Sequence, residues 1–223
     1  MISRNLFFIV TWALLAPSLG WTQETSDRLL STHISGGTYK DDSNGSLLSD
    51  FARENNVPIA VEPLVFDPIR GPVPHRVVEL KNMSLREAVD RLLVAFPEYR
   101  WTLDDGVIIF SPSEGSDPVV SKILDTRINE VRVEKRKGSM SVGDYLFSLD
   151  ALKKMLQTSG VKDVHFYNSV ENMDFDGQSP PIFVFRGRTV REILNQLVKE
   201  TTSKYWTITR WGARGEFVTI SLY

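Results

Sequence analysis

Ser84-Leu85-Arg86-Glu87 and Thr189-Val190-Arg191-Glu192 open two stretches of this chain that read alike. A slide of 105 positions also lays Leu92 on Leu197 and Trp101-Thr102-Leu103 on Trp206-Thr207-Ile208, without a gap. Self-similarity at a fixed period is the mark of a repeated supersecondary unit. Each stretch begins with a hydroxyl residue followed three positions on by Glu. That is a capping box, in which the hydroxyl accepts from the N3 amide and the carboxylate accepts from the N-cap amide. Behind it come apolar stripes at helical spacing: Leu85, Ala88, Val89, Leu92 and Leu93, then Val190, Ile193, Leu194, Leu197 and Val198. Pro97 stops the first helix. A strand pair then follows each helix, 99–103 with 107–110 and 205–209 with 217–222. Asp105-Gly106 marks the first as a tight hairpin.

Working outward, Leu29 to Tyr39 reads as a short strand broken at Gly36-Gly37. Ser46 is placed to cap a helix with Leu47, Leu48, Phe51 and Ala52 inward. Pro58 to Val61 and Arg76 to Leu80 are short strands, separated by a loop carrying Pro63, Pro68, Pro72 and Pro74. Ser111 to Pro118 has the composition of a linker. Beyond it Ile123 to Val133 reads as a strand. Ser148 opens a helix with Leu149, Leu152, Met155 and Leu156 inward, ending at Gly160. Strands follow at Val164–Tyr167 and Ile182–Phe185. The expected fold is α+β: two tandem small domains, 21–115 and 119–223, each β-α-β-β-α-β-β with two helices on short mixed sheets. Glu134 to Phe147 is longer than its counterpart in the first copy, and reads either as a loop or as an added strand.

The chain opens like an export signal. Arg4 precedes an apolar run from Leu6 to Leu15, and Ala16-Pro17-Ser18-Leu19-Gly20 offers small residues for cleavage after Gly20. Residues 1–20 are therefore expected to be a signal peptide, the alternative being a retained N-terminal anchor. There is no Cys, which excludes disulfides, thiolate metal sites and a lipidated Cys. An exported chain of this kind points to a bacterial periplasm or cell exterior. The formal net charge is −2; without Arg4 the balance is 25 basic to 28 acidic residues. No broad positive field is expected, which argues against nucleic acid as a ligand.

Several segments resemble the short N-terminal domain shared by secretins and TonB-dependent receptors. They are Arg76 to Asn82, Ser84 to Phe96, Tyr99 to Asp104, Gly106 to Pro112 (GVIIFSP) and, upstream, Leu47 to Val61 (LLSDFARENNVPIAV). In the second copy, Leu124 to Val133 (LDTRINEVRV) and Ser148 to Val161 match the same opening. The resemblance implies a periplasmic adaptor that contacts envelope or inner-membrane proteins, without catalytic residues. The chain reaches Tyr223 with no barrel, plug or secretin segment after the repeats, so the downstream function is not carried over.

No cofactor or metal is expected. His33, His75 and His165 stand in separate segments without metal-ligand spacing. His33-Ile34-Ser35-Gly36-Gly37 lacks a nucleophile elbow and reads as a strand break. Glu171, Asp174 and Asp176-Gly177 resemble only part of a calcium loop and read as a solvated acidic loop. Trp101 and Trp206 recur at matched positions, which favours core over an aromatic platform. Trp211 lies in the tip Arg210-Trp211-Gly212-Ala213-Arg214-Gly215. It is either an interaction hot spot between two arginines or a ring folded back on its own hairpin. The expected function is an exported non-enzymatic adaptor, with Arg210, Trp211, Arg214, Tyr205, Pro68 and Pro72 as candidate partner contacts. The alternative is a periplasmic binder of cell-wall glycan or a small ligand that uses Trp211, Tyr205 and the acidic loop.

Overall fold

The computed structural model describes residues 27–41, 47–64, 75–134, 150–168, 182–201 and 203–223. The expected leader at 1–20, the Ser46 cap, Pro68 and Pro72, the acidic loop at 171–177 and the stretch 135–147 lie outside these residues. The fold is α+β.

In the first half, a helical turn at 27–30 leads into two short strands, β1 (His33–Ile34) and β2 (Gly37–Lys40). Helix α1 (Leu47–Asn55) follows, its first amide bonded to the Asp41 carboxylate at 2.9 Å. Strand β3 (Ile59–Val61) is wholly buried. Strands β4 (Val77–Leu80) and β5 (Met83–Ser84) pair antiparallel with β2 and β1 respectively. The ladder is broken at Ser35-Gly36, where the backbones nearly touch: a Cβ on Gly36 would lie 2.8 Å from the Leu80 carbonyl oxygen. Both expected capping boxes are present. Ser84 and Glu87 open α2 (Leu85–Ala95), and Thr189 and Glu192 open α5 (Val190–Glu200). After α2 come β6 (Tyr99–Asp104) and β7 (Val107–Pro112), turning through Asp105 and Gly106, both at positive φ.

The second half differs from expectation at its start. Ser111 to Pro118 is not all linker, and the strand does not begin at Ile123. Pro118–Asp125 is a helix, α3, and the strand β8 is Arg127–Glu134. The reason is local. Asp117 accepts from the Val119 and Val120 amides at 2.9 and 3.2 Å, while Pro118 occupies the first helical position, where its missing N–H costs nothing. Val120, Ile123 and Leu124 then form a buried stripe. Helix α4 (Asp150–Thr158), β9 (Asp163–Asn168), β10 (Ile182–Thr189), α5, β11 (Tyr205–Trp211) and β12 (Phe217–Leu222) complete the chain.

Strands β8 and β10 pair antiparallel by themselves. The other long strands form one six-stranded sheet in the order β6-β7-β3-β11-β12-β9. In each half a hairpin is flanked by a parallel third strand, β3 beside β7 and β9 beside β12. The halves meet where β3 pairs parallel with β11, Ile59 to Tyr205, Ala60 to Trp206 and Val61 to Thr207. The sequence expectation placed each half on its own sheet; here the sheet runs through both.

Strand directions follow from these pairings: the second trio runs opposite to the first. A half-turn about an axis lying in the sheet, across the strands, together with a shift along that axis, relates them. That operation also swaps faces, since side chains alternate along a strand. Accordingly α1 and α2 pack on the face carrying Ile59, Val61, Ile108, Phe110 and Tyr205. Helices α3, α4 and α5 pack on the other, with Trp206, Ile208, Val218, Ile220 and Leu222. The second core also takes in Ala60, Val107 and Ile109 from first-half strands. The result is three layers, helix on sheet on helix.

Two predictions concern this frame. Gly36→Ala forces backbone apart at the ladder break and should lower stability by about 1–3 kcal/mol in urea unfolding; an unchanged midpoint would show that the strands have room. The second concerns pH. Hydrogen bonds from Ser84 hold the Glu87 carboxyl below its ordinary range, and the Thr189 backbone amide does the same first of all for Glu192. A lowered folded pKa means stabilisation that is complete above the ordinary carboxylate range (about 4.3). It is lost as pH falls through the lowered values. Between pH 6 and 3, the Glu87→Gln/Glu192→Gln pair should therefore show a shallower fall in melting temperature than the native chain. Parallel curves would mean the boxes do not set acid stability.

Candidate binding face

The side chains proposed from sequence are not gathered at one place. Tyr205 is buried in the first-half core. Arg210 points to the opposite face from Trp211, as strand alternation requires. Its Nη1 donates to both oxygens of Asp117, at 3.0 and 2.8 Å, and its Nε to the Gly215 carbonyl oxygen at 3.0 Å. With Asp117 1% exposed, this is an internal ion pair that ties the hairpin to the cap of α3, not a contact surface. Arg214 is exposed at the tip, its backbone amide donating to Glu216 at 2.8 Å. Backbone amides of Glu216 itself and of Arg214 hold the Glu216 carboxyl below its usual range. The tip needs glycine at 212: φ is +95°, and a Cβ there would lie 2.7 Å from a Phe217 ring carbon.

Trp211 folds over its own hairpin and remains 44% exposed. Its Nε1 donates to Thr219 Oγ1 at 2.9 Å. Its ring stacks with Phe217 at 4.5 Å between centroids and more loosely with His165 at 5.8 Å. His165 Nε2 lies 3.6 Å from the Asp163 carboxylate. By register, Thr207, Thr209 and Trp211 on β11, Phe217 and Thr219 on β12, and Asp163 and His165 on β9 share one face of the sheet. It is the face that α1 and α2 cover in the first half. Over the second half, Thr209, Trp211 and His165 are exposed, and Thr207, Phe217 and Thr219 are half-buried. Sequence reasoning missed His165, Phe217 and Thr219. The period-2 spacing of Phe217 and Thr219 was a usable signal; the neighbour relation of β9 to β12 was not.

Trp101 and Trp206 are core to different degrees. Trp206 is fully buried, its Nε1 bonded to Asn195 Oδ1 at 2.9 Å. Trp101 is half-buried, bonded to Asp90 Oδ1 at 2.8 Å, with the Arg86 guanidinium 5.7 Å from its ring. Asp90 and Asn195 are themselves 105 positions apart. The buried site uses the neutral amide, because a carboxylate there would lose its hydration.

Elsewhere, a shallow cleft of about 370 Å³ lies between the end of α1 and β1, lined by His33, Ser35, Glu54, Asn55 and Asn56 among others. His75 Nδ1 sits 3.1 Å from the Asp41 carbonyl oxygen. Among the described residues no three His, Asp or Glu side chains are grouped to hold a metal ion, and no helix is long and apolar enough to cross a membrane. No family model, curated protein or solved structure matches this chain.

Three substitutions separate core from surface by urea unfolding. Trp206→Ala should cost about 3–5 kcal/mol. Arg210→Ala leaves the Asp117 charge buried without its cation and should cost about 3–5 kcal/mol. Trp211→Ala should cost only about 1–2 kcal/mol, because its ring is incompletely buried. Equal losses for Trp211 and Trp206 would make Trp211 a core residue and remove it from any site.

Proposed function

We propose that this chain is an exported, non-enzymatic adaptor that docks an envelope or inner-membrane protein by strand addition. The observation that carries the proposal is the junction between the halves. There, the outer strand of the first trio, β3, accepts β11 as a parallel neighbour. Strand β9 occupies the corresponding outer position of the second trio, and among the described residues it pairs with β12 alone. A strand in that position presents a row of backbone donors and acceptors that a partner segment can complete. The likeness of Leu47–Val61 and Arg76–Pro112 to the short N-terminal domain of secretins and TonB-dependent receptors supports an envelope partner. So does the export pattern at 1–20. The absence of a broad positive charge favours protein over nucleic acid.

A photo-crosslinking residue at position 165, on β9, reads this out in cells of the native host. The expected result is one dominant envelope-protein adduct. The same probe at position 94, 80% exposed on α2, should give none. No adduct from 165, or the same adducts from both positions, would overturn strand addition at β9.

A further inference from the structure

We propose that the face built by Thr209, Trp211, Phe217 and Thr219 binds an uncharged stretch of cell-wall glycan. The argument rests on a comparison within the chain. Trp101 pairs with Phe110, and Trp206 with Leu222. Counting back from those partners, Val107 corresponds to Thr219 and Ile109 to Ser221. On β7 and β3 this face is apolar, with Val107, Ile109 and Ala60 buried in the core beneath α5, while its β6 edge is polar, with Arg100, Thr102 and Asp104. In the second half Thr219 and Ser221 stand in the places of Val107 and Ile109, and Thr209 in that of Asp104. A helix docked there as α5 docks on the first half would take the exposed Thr209 hydroxyl and the remaining hydrogen-bonding capacity of Thr219 out of water, at a cost an apolar face avoids. The face is therefore made for a ligand that brings its own donors and acceptors.

The chemistry present narrows that ligand. Thr207, Thr209, Trp211, Phe217 and Thr219 carry no charge, and at the margin Asp163 and His165 face each other. Neither a phosphate nor an amine would find a counter-charge at the centre. Thr219 Oγ1 accepts from Trp211 and keeps its own O–H to donate. Thr209 offers an exposed hydroxyl on the neighbouring strand, directly opposite Thr219. Beside them lies the exposed part of the Trp211–Phe217 stack. Hydroxyls next to an aromatic surface match a pyranose ring, which carries hydroxyls at its rim and C–H groups on its faces. The site is distinct from the backbone edge of β9, so it stands or falls separately from strand addition. It shares with that reading only the export of the chain.

The experiment is co-sedimentation of the full chain with protein-free peptidoglycan sacculi, comparing native protein with Thr209→Val and Trp211→Ala. Thr209→Val keeps the β-branched shape and removes only the hydroxyl, so its fold is secure even if Trp211→Ala weakens the hairpin. Retention of the native chain is expected, with about tenfold weaker binding for Thr209→Val and a larger loss for Trp211→Ala. Val94→Glu, on α2, should bind as the native chain does. Three results would each overturn the proposal: no retention, equal retention of Thr209→Val, or a photo-crosslinker at position 209 that captures a protein in cells. The position-165 crosslink is read independently, so its failure and this one are distinguishable.

Discussion

Three residue pairs between β3 and β11 decide how the rest of this molecule is arranged. Each half folds its own hairpin and third strand, but neither trio ends at its own border. Strand β3 is short and buried on both faces, Ile59 and Val61 toward one core and Ala60 toward the other. A strand buried on both faces has no solvated side, which is why Ile59-Ala60-Val61 is continuously apolar. The half-turn that puts β11 beside β3 also sends the two helix layers to opposite faces. Residues of the first half then serve the second core, and Tyr205 serves the first. Relative motion of the halves would break both cores together.

Charges along the same junction reinforce it unequally. Arg191 of α5 reaches the Glu62 carboxylate just after β3, with Asp125 3.3 Å away. Glu62 is 4% exposed, and burial lowers the Arg191 pKa from its ordinary value. Arg210 and Asp117 form the second deep pair. Desolvation offsets most of the attraction within such pairs, so their net stabilisation is small although loss of one partner is costly. Lys199 and Asp105, at 2.7 Å, sit at the rim; Asp105 is largely exposed, and the pair contributes little. The repeated Arg of the two capping boxes thus has two fates. Arg86 lies over Trp101, and Arg191 crosses to Glu62.

Local chemistry was legible in the sequence, and long-range pairing was not. The capping boxes, the stripes of α2 and α5 and the Asp105-Gly106 turn each depend on residues within a few positions, and each is where the sequence placed it. The helix at Pro118–Asp125 was equally local: Asp117-Pro118 is a start signal, overlooked because Ser, Pro and Gly around it read as linker. The shared sheet is of another kind. Nothing in Ile59-Ala60-Val61 announces Tyr205-Trp206-Thr207 as a neighbour 146 positions away, since any apolar strand would fit the same slot. The site suffered from the same limit. In the sequence the tip residues read as one cluster, whereas alternation sends Arg210 inward to Asp117 and leaves Trp211 on the face. His165 enters only through the pairing of β9 with β12.

The relation between the halves is open: repeated once more, it would place another β6-type strand beside β9. The sequence opposes such growth by a second copy of this chain. On β11 the residue that turns toward the neighbouring half is Tyr205, which fits into the first-half core. The matching position of β6 is Arg100, followed on the same side by Thr102 and Asp104, all three exposed. Docked on another copy as β11 docks on β3, Arg100 would be carried toward an apolar core at the cost of its hydration. Charges on an outer strand are a common defence against sheet-to-sheet association. The two ends of the sheet are therefore not complementary. Among the described residues, β6 is not suited to sit beside β9 as β11 sits beside β3. A strand added at β9 as β11 adds to β3 would have to carry an apolar or neutral residue where β6 carries Arg100.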